Sequence, residues 1–185
     1  MLDRIDLLVL DVDGVLSDGH IIYDSRGADV KVFSVLDGQG LKYWCRMGHE
    51  AAILSGRTSP TIRRRAAEAG IRAVYTGAKD KVPVFERILK RFGRTAEQAC
   101  FVGDDLVDLP VMSRAGFAVA TAGAVDEVKR LAHYVTRGGA AAGAVRETIE
   151  LILKYQGLWD DVTARYRDQL AADLPPGRNP WGGRP

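Results

Sequence analysis

Leu7-Leu8-Val9-Leu10-Asp11-Val12-Asp13-Gly14-Val15-Leu16-Ser17-Asp18-Gly19 decides how this chain is read. Four apolar residues run into two carboxylates spaced i, i+2, and a glycine follows at once. A short apolar run bounded by turn residues reads as a buried strand. Asp11 and Asp13 then stand where the chain leaves the sheet. In open α/β sheets, ligands bind outside the carboxyl ends of the strands. Two carboxylates at that edge can hold a divalent cation, and one of them can attack an electrophile. A helix cap or an Asx turn accounts for one aspartate and leaves the other without a reason.

Outward from this strand, strand and helix signals alternate. Ile5 to Leu10 is the first strand. Gly19 to Tyr23 and Val30 to Val35 flank Asp24-Ser25-Arg26-Gly27 and read as a hairpin. Gly40 to Met47 reads as a helix and Glu50 to Leu54 as a second core strand. Ser59-Pro60 starts a helix, with serine as N-cap and proline at the first helical position, and Gly70 stops it. Ala73 to Tyr75, Ala99 to Val102, Phe117 to Ala120 and Tyr134 to Val135 are further strands. Helices are expected at Val82 to Phe92, Leu106 to Ala115, Val125 to Leu131, Ala144 to Tyr155 and Leu158 to Leu170. Such alternation implies a three-layer α/β fold, a mostly parallel sheet covered on both faces, with the hairpin inserted after the first strand. Residues 1–157 are expected to form the domain, 158–172 a C-terminal helix, and the Pro- and Gly-rich 173–185 a mobile tail.

The 185 residues suit one domain with a sizeable core. Lysine and arginine number 26 against 24 acidic residues, a balance that argues against nucleic acid or an anionic membrane as partner. Arg63-Arg64-Arg65 reads as a solvated helix face. Cys45 and Cys100 lie in apolar stretches without a partner motif, as buried thiols in a reducing compartment do. The first residues carry no signal-peptide pattern and no stretch reaches membrane-spanning length, so the expected location is the cytoplasm.

Three later segments bring polar groups to the same sheet edge. In Ile53-Leu54-Ser55-Gly56-Arg57 a strand ends in a hydroxyl and exposed backbone N–H groups that can bind phosphate oxygens, although Ser-Gly also suits a plain turn. Lys81 stands at a helix N-terminus, where a cation opposes the macrodipole unless an anion such as phosphate joins it; Lys79 reads as a surface lysine. In Gly103-Asp104-Asp105-Leu106-Val107-Asp108, three aspartates within five residues repel one another unless a cation or a cap uses them. Asp104, nearest the strand end, is the metal-ligand candidate, while Asp108 also suits an N-cap. Together with Asp11 and Asp13 this is an oxygen-rich site suited to Mg²⁺. His20, His49 and His133 are scattered.

Asp11-Val12-Asp13-Gly14-Val15, Ser55-Gly56-Arg57, Lys81 and Gly103-Asp104-Asp105…Asp108 resemble, in order and spacing, the motifs of the haloacid dehalogenase-like phosphatases. Lys31 to Gly40 and Tyr134 to Glu147 extend the likeness to the 3-deoxy-D-manno-octulosonate 8-phosphate phosphatases, over residues up to about 157. The resemblance implies a Rossmann-like core without a cap domain. It also implies a homotetramer whose central barrel takes up the hairpin, with neighbouring subunits closing each site. It makes Asp11 the nucleophile and Asp13 the proton carrier. The Asp11 and Asp104 side chains and the Asp13 backbone carbonyl become the Mg²⁺ ligands. Ser55, Gly56 and Lys81 become phosphate-binding, Asp108 and Asp105 orienting groups, and Asp37, Gly38, Arg57 and Arg146 substrate contacts. The implied substrate is a small phosphorylated sugar acid used in lipopolysaccharide biosynthesis, the octulosonate 8-phosphate. One departure bears on it: Gly138-Gly139-Ala140-Ala141-Ala142-Gly143-Ala144-Val145-Arg146-Glu147 carries Ala142 where such phosphatases have an arginine. A related nine-carbon sugar acid phosphate, another metabolite, or a role as the phosphatase-like subunit of a complex such as phenylphosphate carboxylase therefore stay open.

Overall fold

A computed structural model describes residues 1–171, so the expected tail at 173–185 lies outside the described residues. The strands among them are β1 (Leu7–Leu10), β2 (Ile22–Tyr23), β3 (Asp29–Val30), β4 (Glu50–Leu54), β5 (Ala73–Tyr75), β6 (Ala99–Gly103), β7 (Phe117–Ala120) and β8 (Tyr134–Val135). The helices are α1 (Val35–Arg46), α2 (Pro60–Ala69), α3 (Val82–Phe92), α4 (Leu109–Met112), α5 (Asp126–Leu131), α6 (Ala144–Tyr155) and α7 (Trp159–Ala171). None is long and apolar enough to cross a membrane.

β1 is the centre of a parallel sheet ordered β5-β4-β1-β6-β7-β8. Its four residues are all buried because both faces are covered. Leu8 and Leu10 point into a core with Leu41 and Trp44 of α1, Ile62 of α2 and Ile149 of α6. Leu7 and Val9 point into a core with Phe85 and Ile88 of α3, Met112 and Val128. This is why the strand reads as an unbroken apolar run, without the alternation of a half-exposed strand. The chain winds outward from β1 through β4 to β5, then returns to β6 and winds the other way. The crevice at this reversal, beside the carboxyl end of β1, is where such sheets bind ligands.

Local signals account for most boundaries. Ser59 caps α2 by accepting from the Thr61 N–H, Pro60 stands in the first turn, and Gly70 ends it at φ 85°. Two expectations need correction. α1 starts at Val35, five residues before the expected Gly40, with the Ser34 hydroxyl accepting from Asp37 N–H. Asp37-Gly38-Gln39-Gly40 looks like a turn, yet its glycines answer to packing. A Cβ on Gly38 would come within 2.1 Å of the Arg65 guanidinium, and one on Gly40 within 2.9 Å of the Arg146 side chain. The expected helix from Leu106 to Ala115 is instead a 3-10 turn, Leu106–Asp108, followed by the short α4 with Pro110 in its first turn.

The hairpin is present but short. Ile22 pairs with Val30 and Tyr23 with Asp29. Beyond Val30 the return strand leaves its partner, and Phe33 forms an isolated antiparallel bridge with Ser17 in the loop after β1. The hairpin is thereby stitched to that loop rather than extended to Val35.

Candidate active site

Asp11 follows β1 directly, and its N–H donates to the Val102 carbonyl at 3.1 Å, continuing the sheet by one residue. The chain then folds back tightly: Val15 and Ser17 N–H groups return to the Val12 carbonyl, and Gly14 adopts φ +86°. A Cβ on Gly14 would fall 1.9 Å from Asp104 Oδ2. The glycine therefore serves both the turn and the approach of β6's carboxylate to β1's.

β6 ends at Gly103, and Asp104 and Asp105 follow. Asp108, fully buried, reaches back from the 3-10 turn: its Oδ2 accepts from the N–H groups of Asp104 (3.0 Å) and Asp105 (3.4 Å). Its Oδ1 accepts from Lys81 Nζ at 2.7 Å, and Lys81 also stands 2.9 Å from Asp11 Oδ1. Lys81 enters from the start of α3 and is buried. Burial works against its ammonium, but Asp11 and Asp108 outweigh it and hold its pKa above the ordinary lysine value. On β4's side, buried Ser55 accepts from Arg57 N–H at 3.2 Å, and its carbonyl holds Ala78 N–H.

Asp11, Asp13, Gly14, Ser55, Gly56, Arg57, Lys81, Asp104 and Asp105 line one cleft of about 390 Å³ at the carboxyl edge of the sheet. A larger groove of about 720 Å³, with Asp6, His49 and Gln98 in its lining, opens at the opposite edge and contains none of them.

The electrostatics of the cleft call for a cation. Burial, with Asp108 adding to it against the pull of Lys81, pushes the Asp11 carboxyl up to about 6. Burial together with Asp11, Asp108 and Asp105 pushes Asp104 up to about 7. Asp104 Oδ1 is buried and has no hydrogen-bond partner among the described residues. Carboxylate oxygens of Asp11, Asp104 and Asp108 lie within 4.8 Å of one another. Asp108 is already committed to Lys81 and two backbone N–H groups, which leaves Asp11 and Asp104 as the oxygens free to take a metal. An all-oxygen donor set with an orphaned carboxylate oxygen fits Mg²⁺.

A family profile of haloacid dehalogenase-like hydrolases matches residues 29–116. The 3-deoxy-D-manno-octulosonate 8-phosphate phosphatase KdsC of Escherichia coli (strain K12) is 41% identical over 159 residues, covering 86% of this chain and 85% of its own. The chain belongs to the haloacid dehalogenase-like hydrolases. The corresponding phosphatase of Haemophilus influenzae is 40% identical over 156 residues, 84% of this chain and 87% of its own. A Moraxella catarrhalis 3-deoxy-D-manno-octulosonate 8-phosphate phosphatase, solved with magnesium, phosphate and KDO, superposes with a TM-score of 0.87 at 38% identity, covering 89% of this chain and 95% of its own.

Three residues expected as substrate contacts do not line this cleft. Asp37 is buried and accepts from Arg146 N–H at 2.8 Å and Gly143 N–H at 3.3 Å, tying α1 to the start of α6. Gly38 is the space that Arg65 fills. The Arg146 guanidinium lies over Tyr43 (4.9 Å) and Trp159 (5.3 Å) and pairs with Glu150 at 2.7 Å. Two further lysines stand at the cleft, one the expected surface lysine and one that sequence reasoning passed over. Lys79 lines it. Lys31 comes in from the hairpin and meets Asp13 Oδ1 at 2.5 Å. The signal for Lys31 was its place between two valines in an extended segment, which puts it on the face opposite theirs.

Proposed function

We propose that this protein is a Mg²⁺-dependent phosphomonoesterase that hydrolyses 3-deoxy-D-manno-octulosonate 8-phosphate or a near relative. The observation that carries this reading is the junction of Asp11, Lys81 and Asp104 at the end of the central strand. In the first half-reaction an Asp11 oxygen bonds to phosphorus as the bond from phosphorus to the sugar oxygen breaks. Asp13 gives its proton to that departing oxygen. In the second half a water attacks phosphorus and Asp13 takes its proton. The bond to Asp11 breaks, leaving phosphate and the free carboxylate. Lys81, the Ser55 hydroxyl and the Gly56 N–H hold the phosphoryl oxygens and their charge. Asp108 aims Lys81. The Asp11 and Asp104 side chains and the Asp13 carbonyl would hold Mg²⁺, which when bound would offset the repulsion between carboxylates and phosphate.

The proposed assembly is a homotetramer built on the hairpin. Ile21, Ile22, Tyr23, Val30, Val32, Val35 and Leu36 are exposed, and a two-stranded ribbon this short is marginal alone. The proposed location is the cytoplasm, in keeping with Cys45 and Cys100, both free thiols.

A related sugar acid phosphate is the second reading, because Ala142 stands where an arginine could clamp a carboxylate. Phosphate release from a panel of phosphorylated sugar acids and neutral sugar phosphates, scored by kcat/KM, tests both readings. Octulosonate 8-phosphate should lead in the presence of Mg²⁺, and Asp11→Asn should turn over nothing while keeping its fold. Activity in metal-stripped enzyme, or in Asp11→Asn, would sink the mechanism. A neutral sugar phosphate at the head of the panel would sink the substrate class.

A further inference from the structure

The lysine on the hairpin stands apart from its surroundings. Val30 and Val32 are 46% and 50% exposed, yet the Lys31 side chain between them is 2% exposed. An ammonium taken this far from water requires compensation by fixed partners. Asp13 Oδ1 lies at 2.5 Å and Asp29 Oδ2 at 3.7 Å. Asp29 in turn accepts from the hydroxyl of Ser59, the residue that caps α2, at 2.9 Å. Lys31 is thus anchored to the scaffold on one side and to Asp13 on the other.

The remaining contacts of Asp13 are few. Ser17 Oγ reaches the same oxygen at 3.3 Å, and Arg57 Nε stands 3.7 Å from Oδ2. Ser17 is the residue bridged to Phe33, two positions after Lys31. Arg57 donates to the Tyr23 hydroxyl on the hairpin's outgoing strand at 3.4 Å. Among the described residues, each side chain that hydrogen-bonds or ion-pairs with Asp13 is therefore itself attached to the hairpin or carried on it. The two buried lysines divide the two aspartates. Lys81 serves Asp11 from α3, and Lys31 serves Asp13 from the hairpin.

We propose that Lys31 is a positioning residue for the proton-transferring carboxylate, so that seating of the hairpin sets the aim of Asp13 into the cleft. This rests on the reading of Asp13 as the proton carrier, and the test separates the two. An alkyl oxygen needs a proton as it leaves phosphorus, whereas p-nitrophenolate departs without one. A misplaced Asp13 therefore harms cleavage of octulosonate 8-phosphate far more than cleavage of p-nitrophenyl phosphate. kcat/KM is the parameter to read, because it covers steps only through departure of the leaving group.

In Lys31→Met the ratio of the two kcat/KM values, alkyl over aryl, should drop at least tenfold, and Lys31→Arg should restore most of it. The particle mass, followed by light scattering, should match the wild type, so that the loss is not one of assembly. Asp13→Asn should show the same split, and adding Lys31→Met to it should change the ratio no further. If Lys31→Met lowers both substrates in parallel, or neither, Lys31 is only part of the scaffold and the proposal is wrong. If Asp13→Asn itself fails to split the substrates, the assignment of Asp13 is at fault and the proposal falls with it. Should Lys31→Met not fold, Asp29→Asn keeps the lysine, removes its outer anchor and reads the same ratio; an unchanged ratio there overturns the proposal.

Discussion

Replacing Asp104 by asparagine should make the metal-free protein more stable and the magnesium-loaded protein less so. In the absence of a cation, burial and three neighbouring aspartates raise the Asp104 carboxyl from 3.8 to about 7. At roughly 1.4 kcal/mol per pH unit this sets a ceiling of about 4 kcal/mol. Asp104 is partly exposed, and solvent screening reduces the figure to about 1–2 kcal/mol. The sign follows from proton binding. Because the folded pKa lies above the unfolded one, the folded form holds more protons between 3.8 and about 7. The penalty is absent below that interval, grows through it and is complete above about pH 7. Asparagine keeps the shape and removes the charge.

Differential scanning calorimetry after EDTA treatment, at about pH 8 and again at about pH 5, checks this. A domain of this size shifts by about 2–4 °C per kcal/mol. Asp104→Asn should therefore melt about 2–8 °C above wild type at the higher pH, with most of the difference gone at the lower one. Magnesium at a hundred times its Kd should stabilise the wild type by about 2.7 kcal/mol and the variant by far less, reversing the order. Equal melting of the two metal-free proteins at about pH 8, together with an equal response to magnesium, would refute the reasoning. The cleft would then not be an electrostatic trap waiting for a cation.

Gly14→Ala places a methyl against Asp104 Oδ2 at a backbone φ of +86°, so it should cost about 1–2 kcal/mol of stability and weaken the magnesium-induced rise in Tm by more than that alone explains. Lys81→Met strands buried Asp11 and Asp108, and metal-free protein should lose about 3–5 kcal/mol in urea titrations. Arg146→Ala removes the arginine stacked between Tyr43 and Trp159; thermal melts should fall by about 1–2 kcal/mol while kcat/KM for p-nitrophenyl phosphate stays near wild type. Ile22→Glu, at an exposed hairpin position, should yield particles smaller than the wild type's by light scattering if the proposed tetramer is built on the hairpin.

The candidate site at the sheet edge was legible because its residues are local in sequence. Asp11 and Asp13 close one apolar run, Ser55 and Gly56 close a second, and Asp104 closes a third. A parallel sheet buried on both faces must place the ends of its central strands side by side. The helix boundaries with ordinary caps were legible for a similar reason: Ser59, Pro60 and Gly70 act on their own backbone neighbours. What failed was punctuation that depends on distant residues. Gly38 and Gly40 resemble turn glycines until Arg65 and Arg146 are seen to occupy the space beside them.

Charged residues whose partners lie far along the chain were hidden in the same way. Asp37 is an acid at the start of a helix, which suits either a substrate contact or a structural tie. Only the packing of α1 on α6, which brings the N–H groups of Gly143 and Arg146 to its carboxylate, reveals the tie. Arg146 then has its backbone on Asp37 and its guanidinium on Tyr43, Trp159 and Glu150; the i,i+4 spacing announces the Glu150 pair, but no spacing rule links Arg146 to Asp37, Tyr43 or Trp159. Lys31 is the intermediate case. Period-2 alternation separates it from Val30 and Val32, so the sequence already carried its direction. Its destination depended on the hairpin leaving its own ladder after two pairs to join Ser17. A lone inward-pointing lysine on a short, otherwise apolar ribbon is costly unless carboxylates await it. The stretch after β1 holds three acids, Asp11, Asp13 and Asp18, and Asp11 is taken by Lys81. Asp18 meets the exposed His20, which leaves Asp13 as the carboxylate beneath the ribbon that the lysine can enter the cleft to meet.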